Sequence, residues 1–202
     1  MYRVGWMFEA HNMGALMAAA AQGIELWKAA GAPDAALWAL DGSAPGTFAF
    51  AVNCESASQF YAIEDALQSN PEFMAWRLSW QNMFDFTANY RVTPVLDMSS
   101  EHLEAPAFMA QWHFIPSSME NMMEAAPEGA EIWKRHGAKM VMLTSLAGTG
   151  VGQFAWGLAF ESGAAYGEVL DAVQQDEDFA AWQAKYMGTA TWTGNIYGRR
   201  IL

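Results

Sequence analysis

The chain has 202 residues, of which 53% are hydrophobic, so it carries enough apolar surface for a folded core and is not a disordered protein. Acidic residues outnumber basic ones by 22 to 10, and the formal net charge of −12 disfavours nucleic acid and anionic membrane surfaces as partners. Its single cysteine, Cys54, excludes an internal disulfide and favours a cytoplasmic location. No apolar run approaches the roughly 18 residues that a membrane-spanning helix needs, so no membrane association is expected.

The first part of the chain predicts a strand followed by a helix. Side chains alternate in character over residues 2–10, which is the period of a half-buried strand. Asn12 then offers an N-cap for a helix whose apolar residues recur at helical spacing until Gly31 can end it.

Two further strands and a second helical region follow. Residues 35–41 and 46–54 predict two strands joined by a turn-rich connection. Ser56 can cap the next helix, and the Asn-Pro pair at 70–71 marks a fresh cap with a first-turn proline, so this region should break into two helical pieces. Alternation over residues 84–93 predicts a fourth strand.

The sequence then repeats itself at an offset of 106 positions. Residues 2–96, aligned with residues 108–202 without a gap, share 29 identities in 95 positions, spread along the full length. This indicates an internal duplication, and it repeats every element prediction in the second half of the chain. In that second copy, Ser117 and Glu120 predict a capping box at the start of the first helix.

Each half thus reads strand, helix, strand, strand, helix, strand, which is the ferredoxin-like order with helices on one face of an antiparallel sheet. A sheet with one bare face needs a partner. We therefore predict an α+β fold in which repeat 1–96 and repeat 108–202, joined by a linker at 97–107, place their sheets face to face and close an intramolecular α+β barrel.

This element order, the duplication and two helix segments resemble the dimeric α+β barrel superfamily over the full chain. The segments are Asn-Pro-Glu-Phe-Met-Ala-Trp at 70–76 and Asp-Glu-Asp-Phe-Ala-Ala-Trp at 176–182. The resemblance implies the barrel architecture. It does not select a function, because members include cofactor-independent monooxygenases, polyketide cyclases, haem-binding or haem-degrading proteins and proteins with no known reaction.

The third strand of each repeat alternates bulky and small side chains. In the first repeat, Phe48, Phe50 and Val52 lie on one face, and Ala49 and Ala51 lie on the other. If the bulky face packs beneath the helices, the small residues line a space between the sheets that could hold a small molecule. In the alternative, the bulky face fills the barrel and the small face accepts the Ala-rich helices. We favour the first interpretation because faces of mixed polarity seldom lie under helices.

Polar side chains of the first and fourth strands are predicted to converge in that space. We assign Glu9 and His113 as an acid/base pair, because imidazole and a desolvated carboxylate both titrate near neutrality. Their counterparts in the other repeat are Ile115 and Met7, which cannot do this chemistry. The predicted ligand contacts are Met7, His11, Asn89, Arg91, Gln111, Asn195 and Tyr197.

Three functions remain open. The first is binding of a hydrophobic or aromatic small molecule between the sheets, either as a ligand or as the substrate of a cofactor-independent monooxygenase or cyclase. The second is haem binding, for which His113 and His136 are the candidate ligands; otherwise no cofactor is predicted, and the histidine spacing predicts no metal site. The third is a non-catalytic, side-chain-filled barrel that acts through its acidic surface or as a homo-oligomer.

Overall fold

The computed structural model describes residues 1–41, 46–148 and 153–202, so the two predicted hairpin connections at 42–45 and 149–152 lie outside the described residues. The elements of the first half are β1 (Tyr2–Glu9), α1 (Met13–Ala29), β2 (Asp34–Asp41), β3 (Thr47–Cys54), α2 (Ala57–Gln68), α3 (Pro71–Met83) and β4 (Asp85–Asp97). Those of the second half are β5 (Phe108–Pro116), α4 (Met119–Arg135), β6 (Met140–Ala147), β7 (Gln153–Phe160), α5 (Gly163–Gln174), α6 (Glu177–Tyr186), a 3₁₀ turn (Met187–Thr189) and β8 (Ala190–Arg200).

The predicted α+β fold class is confirmed. The strands form a closed antiparallel barrel in the order β1-β3-β2-β8-β5-β7-β6-β4, in which each half contributes the ferredoxin-like order 4-1-3-2. Every element of the first half except β4 begins 106 positions before its counterpart in the second half. This shared spacing agrees with the offset of the sequence repeat; duplication as its origin stays a prediction.

Contacts between residues divide the chain into two compact units. The first unit contains residues 1–93 together with the last three residues, and the second contains most of residues 94–199. The first unit thus ends inside β4, which runs four residues beyond the predicted end at position 93.

The helices begin at the predicted caps with one correction. The caps that hold are Asn12, Ser56 and Asn70. In the second half the cap is Ser118 rather than Ser117, because the Ser118 Oγ accepts a hydrogen bond from the Asn121 amide at 3.3 Å. The Ser117 hydroxyl instead donates to the Thr189 carbonyl at 2.6 Å, so the predicted capping box with Glu120 is wrong.

Each unit buries the bulky face of its third strand beneath its own helices, as the favoured interpretation predicted. In the first unit, Phe50 and Val52 belong to one core cluster with Leu16 and Trp27 of α1. In the second unit, the bulky residues of β7 pack in the same way with residues of α4 and α5. The small residues of β3 and β7 therefore lie on the faces that point away from the helices.

A tryptophan lies closely against the first helix of each unit at a glycine. In the first unit, the Trp76 indole donates to the Ala19 carbonyl at 2.7 Å, and a Cβ at Gly23 would lie 2.3 Å from that ring. In the second unit, Trp182 makes the equivalent bond, and a Cβ at Gly129 would lie 3.0 Å from it. At Gly23 only hydrogen leaves room for the ring, whereas at Gly129 an added methyl group would make a tight contact that a small shift of Trp182 could relieve.

We therefore expect Gly23→Ala to destabilise the protein, although alanine is intrinsically about 1 kcal/mol better than glycine within a helix. The added methyl group must displace a buried ring, and overpacking of this kind costs about 1–3 kcal/mol. Urea unfolding should show a net loss. Gly14→Ala is the matched control in the same helix, since its nearest neighbour lies at 3.5 Å, and it should not lose stability. Wild-type stability of Gly23→Ala would contradict the account.

Candidate functional site: an aromatic cavity in the second unit

The second unit contains a cavity of about 870 Å³ on the helix side of its sheet, bounded by β5, β7, β8 and the helices α4 to α6. This volume lies within the range of roughly 300–1,000 Å³ that is typical of ligand pockets. Five tryptophans contribute to its lining: Trp112, Trp133, Trp156, Trp182 and Trp192. Among the residues that the structure describes, none of those lining the cavity is acidic, basic or a histidine.

The equivalent region of the first unit is filled by two large aromatic side chains. Trp80 lies near the end of α3 and is 4% exposed. Phe84 is the first residue after α3 and is 7% exposed. Their ring centroids lie 4.9 Å apart, and both contact Phe8 of β1 at 5.1 and 5.2 Å. This region of the first unit is therefore solid core.

The second unit carries smaller or displaced side chains at the same positions. Tyr186 replaces Trp80, and its hydroxyl bonds to the carboxylates of Glu124 and Glu128 at 3.1 and 3.0 Å. Ala190 replaces Phe84 and removes an entire ring. The helix itself is less buried, since α6 has one buried residue where α3 has three. The cavity thus follows from specific sequence differences between the two units.

One end of the cavity carries polar groups. Tyr166 of α5 and Tyr197 of β8 both line it, with ring centroids 5.9 Å apart, and Phe108 stacks against both rings. The Asn195 amide donates to the Tyr197 hydroxyl at 3.1 Å. Among the described residues, the buried Tyr166 hydroxyl makes no hydrogen bond of good geometry. Burial first, and then a weaker interaction with the Tyr197 hydroxyl, raise the pKa of Tyr166 far above its ordinary value.

Two of the predicted ligand residues, Asn195 and Tyr197, line this cavity. The sequence pattern predicted that they share a face of the sheet with His113, and this prediction is wrong. Asn195 pairs with Trp112 in the β5–β8 register, and residues that are opposite each other in a sheet share a face. Gln111 and His113 lie on the other face of β5, where the His113 Nε2 and the Gln111 Oε1 are 3.4 Å apart.

The same correction applies to β4 in the first unit. Asn89 pairs with Trp6 and Arg91 with Val4, so both lie on the helix side of the sheet rather than with Arg3 on the opposite face. The polar residues of the first and fourth strands therefore do not converge on one face.

The remaining predicted site residues belong to the first unit and do not line the cavity. Arg91 donates to the Tyr61 hydroxyl at 3.2 Å. The His11 Nε2 lies 3.9 Å from an Asp85 carboxylate oxygen, with more than four fifths of each side chain exposed. Glu9 ends β1, and Met7 and Asn89 lie in the same sheet.

Burial lowers the pKa of His113. The acid/base role of Glu9 and His113 stays a prediction.

Alternation and polarity alone do not predict the residues that create the cavity. Trp112, Trp133 and Tyr166 have no predicted functional role in the sequence, although all three line it. The feature of the sequence that indicates the cavity is a difference between the repeats: Tyr186 and Ala190 occupy the positions at which the first repeat has the larger aromatic residues Trp80 and Phe84.

No protein-family model matches the sequence, and no curated protein sequence matches it. Solved structures match the fold over nearly the whole chain. A putative monooxygenase from Fusobacterium nucleatum has a TM-score of 0.61 at 11% identity, covering 98% of this chain and 90% of that one. An anthrone oxidase-like protein has a TM-score of 0.61 at 12% identity, covering 100% and 91%. A haem-binding protein from Thermus thermophilus has a TM-score of 0.56 at 10% identity, covering 100% and 91%. The chain has the dimeric α+β barrel fold.

The described lining of this cavity contains no histidine or cysteine to bind haem iron, and its candidate ligands of the other types are Met122, Met187 and three tyrosines. Haem iron takes its protein ligands from His, Cys, Met or Tyr side chains. Neither His113 nor His136 lines the cavity, and His136 bonds instead to the Asp176 carboxylate at 2.5 Å. The raised pKa of Tyr166 disfavours the phenolate that would bind iron. Among the lining residues described, no Lys or Arg is present to pair with the propionates.

Two features are absent from residues 1–41, 46–148 and 153–202. No group of three or more His, Cys, Asp or Glu side chains is placed to hold a metal ion. No helix there combines the length and the apolar character that crossing a membrane requires. A cytoplasmic location, a homo-oligomer and the absence of a cofactor stay predictions.

Proposed function

We propose that this protein binds an uncharged, largely aromatic small molecule in the cavity of its second unit. The observation that carries the proposal is the combination of an aromatic lining with no charged side chain among the lining residues described. Flat rings can stack on, or meet edge to face, the tryptophans that line it. An ion would lose its hydration there without gaining a partner of opposite charge, so a neutral ligand is favoured.

The solved structures with this fold support the same class of ligand. Two of them are described as a putative monooxygenase and an anthrone oxidase-like protein. If the bound molecule is a substrate, we propose that the protein is a cofactor-independent oxygenase or cyclase. The cavity would then bind and orient the substrate. Tyr166 would donate a hydrogen bond to it and would not act as a base, because its raised pKa keeps the phenol protonated at neutral pH.

Refilling the cavity should weaken binding. Ala190→Phe restores the residue that plugs the first unit, and we expect it to weaken binding of 9-fluorenone, a flat tricyclic ketone, by at least about tenfold. The measurement is titration of the wild type and the variant, followed by quenching of tryptophan fluorescence and confirmed by calorimetry.

Ala184→Phe is the matched control, because it makes the same substitution on the exposed side of α6, away from the cavity lining. It should bind 9-fluorenone as the wild type does. The proposal fails if the wild type does not bind the ketone, or if Ala190→Phe and Ala184→Phe bind it equally well.

A further inference from the structure

The geometry points to a specificity for ligands that carry an uncharged acceptor oxygen, such as an aromatic ketone or quinone, bound through hydrogen bonds from Tyr166 and Tyr197. This inference rests on the proposed function and concerns the polar end of the same cavity.

The first observation is a donor without a well-placed acceptor. Tyr166 is 8% exposed, and among the described residues its hydroxyl makes no hydrogen bond of good geometry, since its interaction with the Tyr197 hydroxyl is weaker. A buried hydroxyl without a hydrogen bond costs about 1–3 kcal/mol, so such groups in folded proteins usually have a reason for their presence. An acceptor oxygen of a ligand at this end of the cavity would supply the missing partner.

The second observation is a second phenol beside the first. Tyr197 is partly buried, and its ring lies 5.9 Å from that of Tyr166. Asn195 holds its hydroxyl through a bond of 3.1 Å. Phe108 stacks against both rings, at 5.0 and 6.4 Å, which fixes their planes. Two phenol groups are therefore held at one end of a cavity that is otherwise mostly apolar.

The third observation is that packing does not require the Tyr166 hydroxyl. The equivalent residue of the first unit is Phe60, which is 1% exposed and stacks on Trp27 with ring centroids 5.5 Å apart. The position accepts a plain phenyl ring where the unit is solid core. The hydroxyl appears in the unit that has a cavity, which is where it could meet a ligand.

Charge then separates ketones from acids. The cavity lining offers phenol and amide donors but no cation among its described residues, and the Glu124 and Glu128 carboxylates beside its Tyr186 wall are already paired with Lys185. A carboxylate ligand would lose its hydration without gaining a counter-ion from the lining. A neutral carbonyl oxygen needs only the donors that are present.

The test compares 9-fluorenone with fluorene, which has the same three rings but a CH₂ group in place of the carbonyl. We expect the wild type to bind the ketone about tenfold more tightly, the size of effect that one or two buried hydrogen bonds provide. Tyr166→Phe should reduce that ratio to about 1–3 while leaving the affinity for fluorene unchanged. Fluorene-9-carboxylate should bind the wild type at least about tenfold more weakly than the ketone.

Each outcome separates this inference from the proposed function. Equal affinity of the wild type for the ketone and the hydrocarbon overturns the acceptor specificity but leaves the binding cavity intact. Absence of binding by either molecule overturns the proposed function as well. An undiminished ratio in Tyr166→Phe and in Tyr197→Phe refutes the assignment to these phenols. Thermal unfolding of both variants checks that they fold. The comparison of the ketone with the hydrocarbon in the wild type does not depend on either variant.

Discussion

Replacing Trp80 by alanine should lower the free energy of unfolding by about 3–5 kcal/mol, the range measured when a buried aromatic residue is truncated to alanine. Trp80 is 4% exposed and lies at the centre of the aromatic cluster of the first unit. Its ring centroid lies 4.9 to 5.4 Å from those of Phe84, Phe8, Trp76 and Phe50. Surrounding rings of this size cannot collapse fully into the space, so the loss includes the energy of the remaining cavity.

Trp192→Ala is the control for this prediction. Trp192 belongs to the wall of the cavity in the second unit and is 38% exposed, so its removal should cost less than that of Trp80, about 1–2 kcal/mol. Urea unfolding followed by circular dichroism measures both variants. If both variants lose the same free energy of unfolding, the aromatic cluster around Trp80 is not more tightly packed than the cavity wall around Trp192, and the prediction is wrong.

Much of the fold was predictable because the chain carries each local signal twice. The hydrophobic alternation of the strands, the caps at Asn12 and Asn70 and the small face of the third strand are all local patterns, and the structure bears them out. The face of the fourth strand was not predictable in this way. A local pattern fixes which residues share a face only as long as the strand is regular.

A bulge explains that error. The register between β1 and β4 shifts between Met7 and Phe8, so that Phe8 pairs with Phe86 whereas Trp6 pairs with Asn89. Phe86 and Asn89 therefore lie on one face although three positions separate them. The same shift between His113 and Phe114 turns the second half of β8. An extra residue of this kind reverses every side chain beyond it, and strict alternation carried through it gives the wrong face.

The cavity required a comparison that single-strand patterns do not supply. Residues of α6 and of the sheet both line it, and the side chains near the end of α6 determine how much of the space between them is filled. The two decisive substitutions, from Trp80 to Tyr186 and from Phe84 to Ala190, both remove bulk from the same place. Reading the repeats for differences in volume, as well as for polar differences, would have predicted an opening in the second unit.

The last three residues of the chain are held to the first unit by an ionic network around Asp34. The Asp34 carboxylate accepts hydrogen bonds from Arg200 at 2.8 Å and from the Asn53 amide at 2.8 Å, and Asn53 in turn accepts from Arg3 at 2.7 Å. Ile201 adds a backbone bond to the Leu37 carbonyl of β2 at 2.9 Å. Burial alone would raise the pKa of Asp34, but the bonds from Arg200 and Asn53 outweigh it and hold this pKa below its ordinary value.

Asp34→Asn should therefore destabilise the protein by about 2 kcal/mol at neutral pH, the lower part of the range for hydrogen bonds to a charged group, because the site is partly open to screening by water. The folded-state pKa lies below the unfolded one, so this contribution is complete above about pH 4 and is lost as the pH falls through the folded-state pKa. Denaturant unfolding at about pH 7 and about pH 3.5 measures the change. Asp65→Asn, at an exposed position of α2, is the control and should stay within about 0.5 kcal/mol of wild type at both pH values. A gap between Asp34→Asn and wild type that does not narrow as the pH falls would show that the carboxylate charge is not what holds this end of the chain.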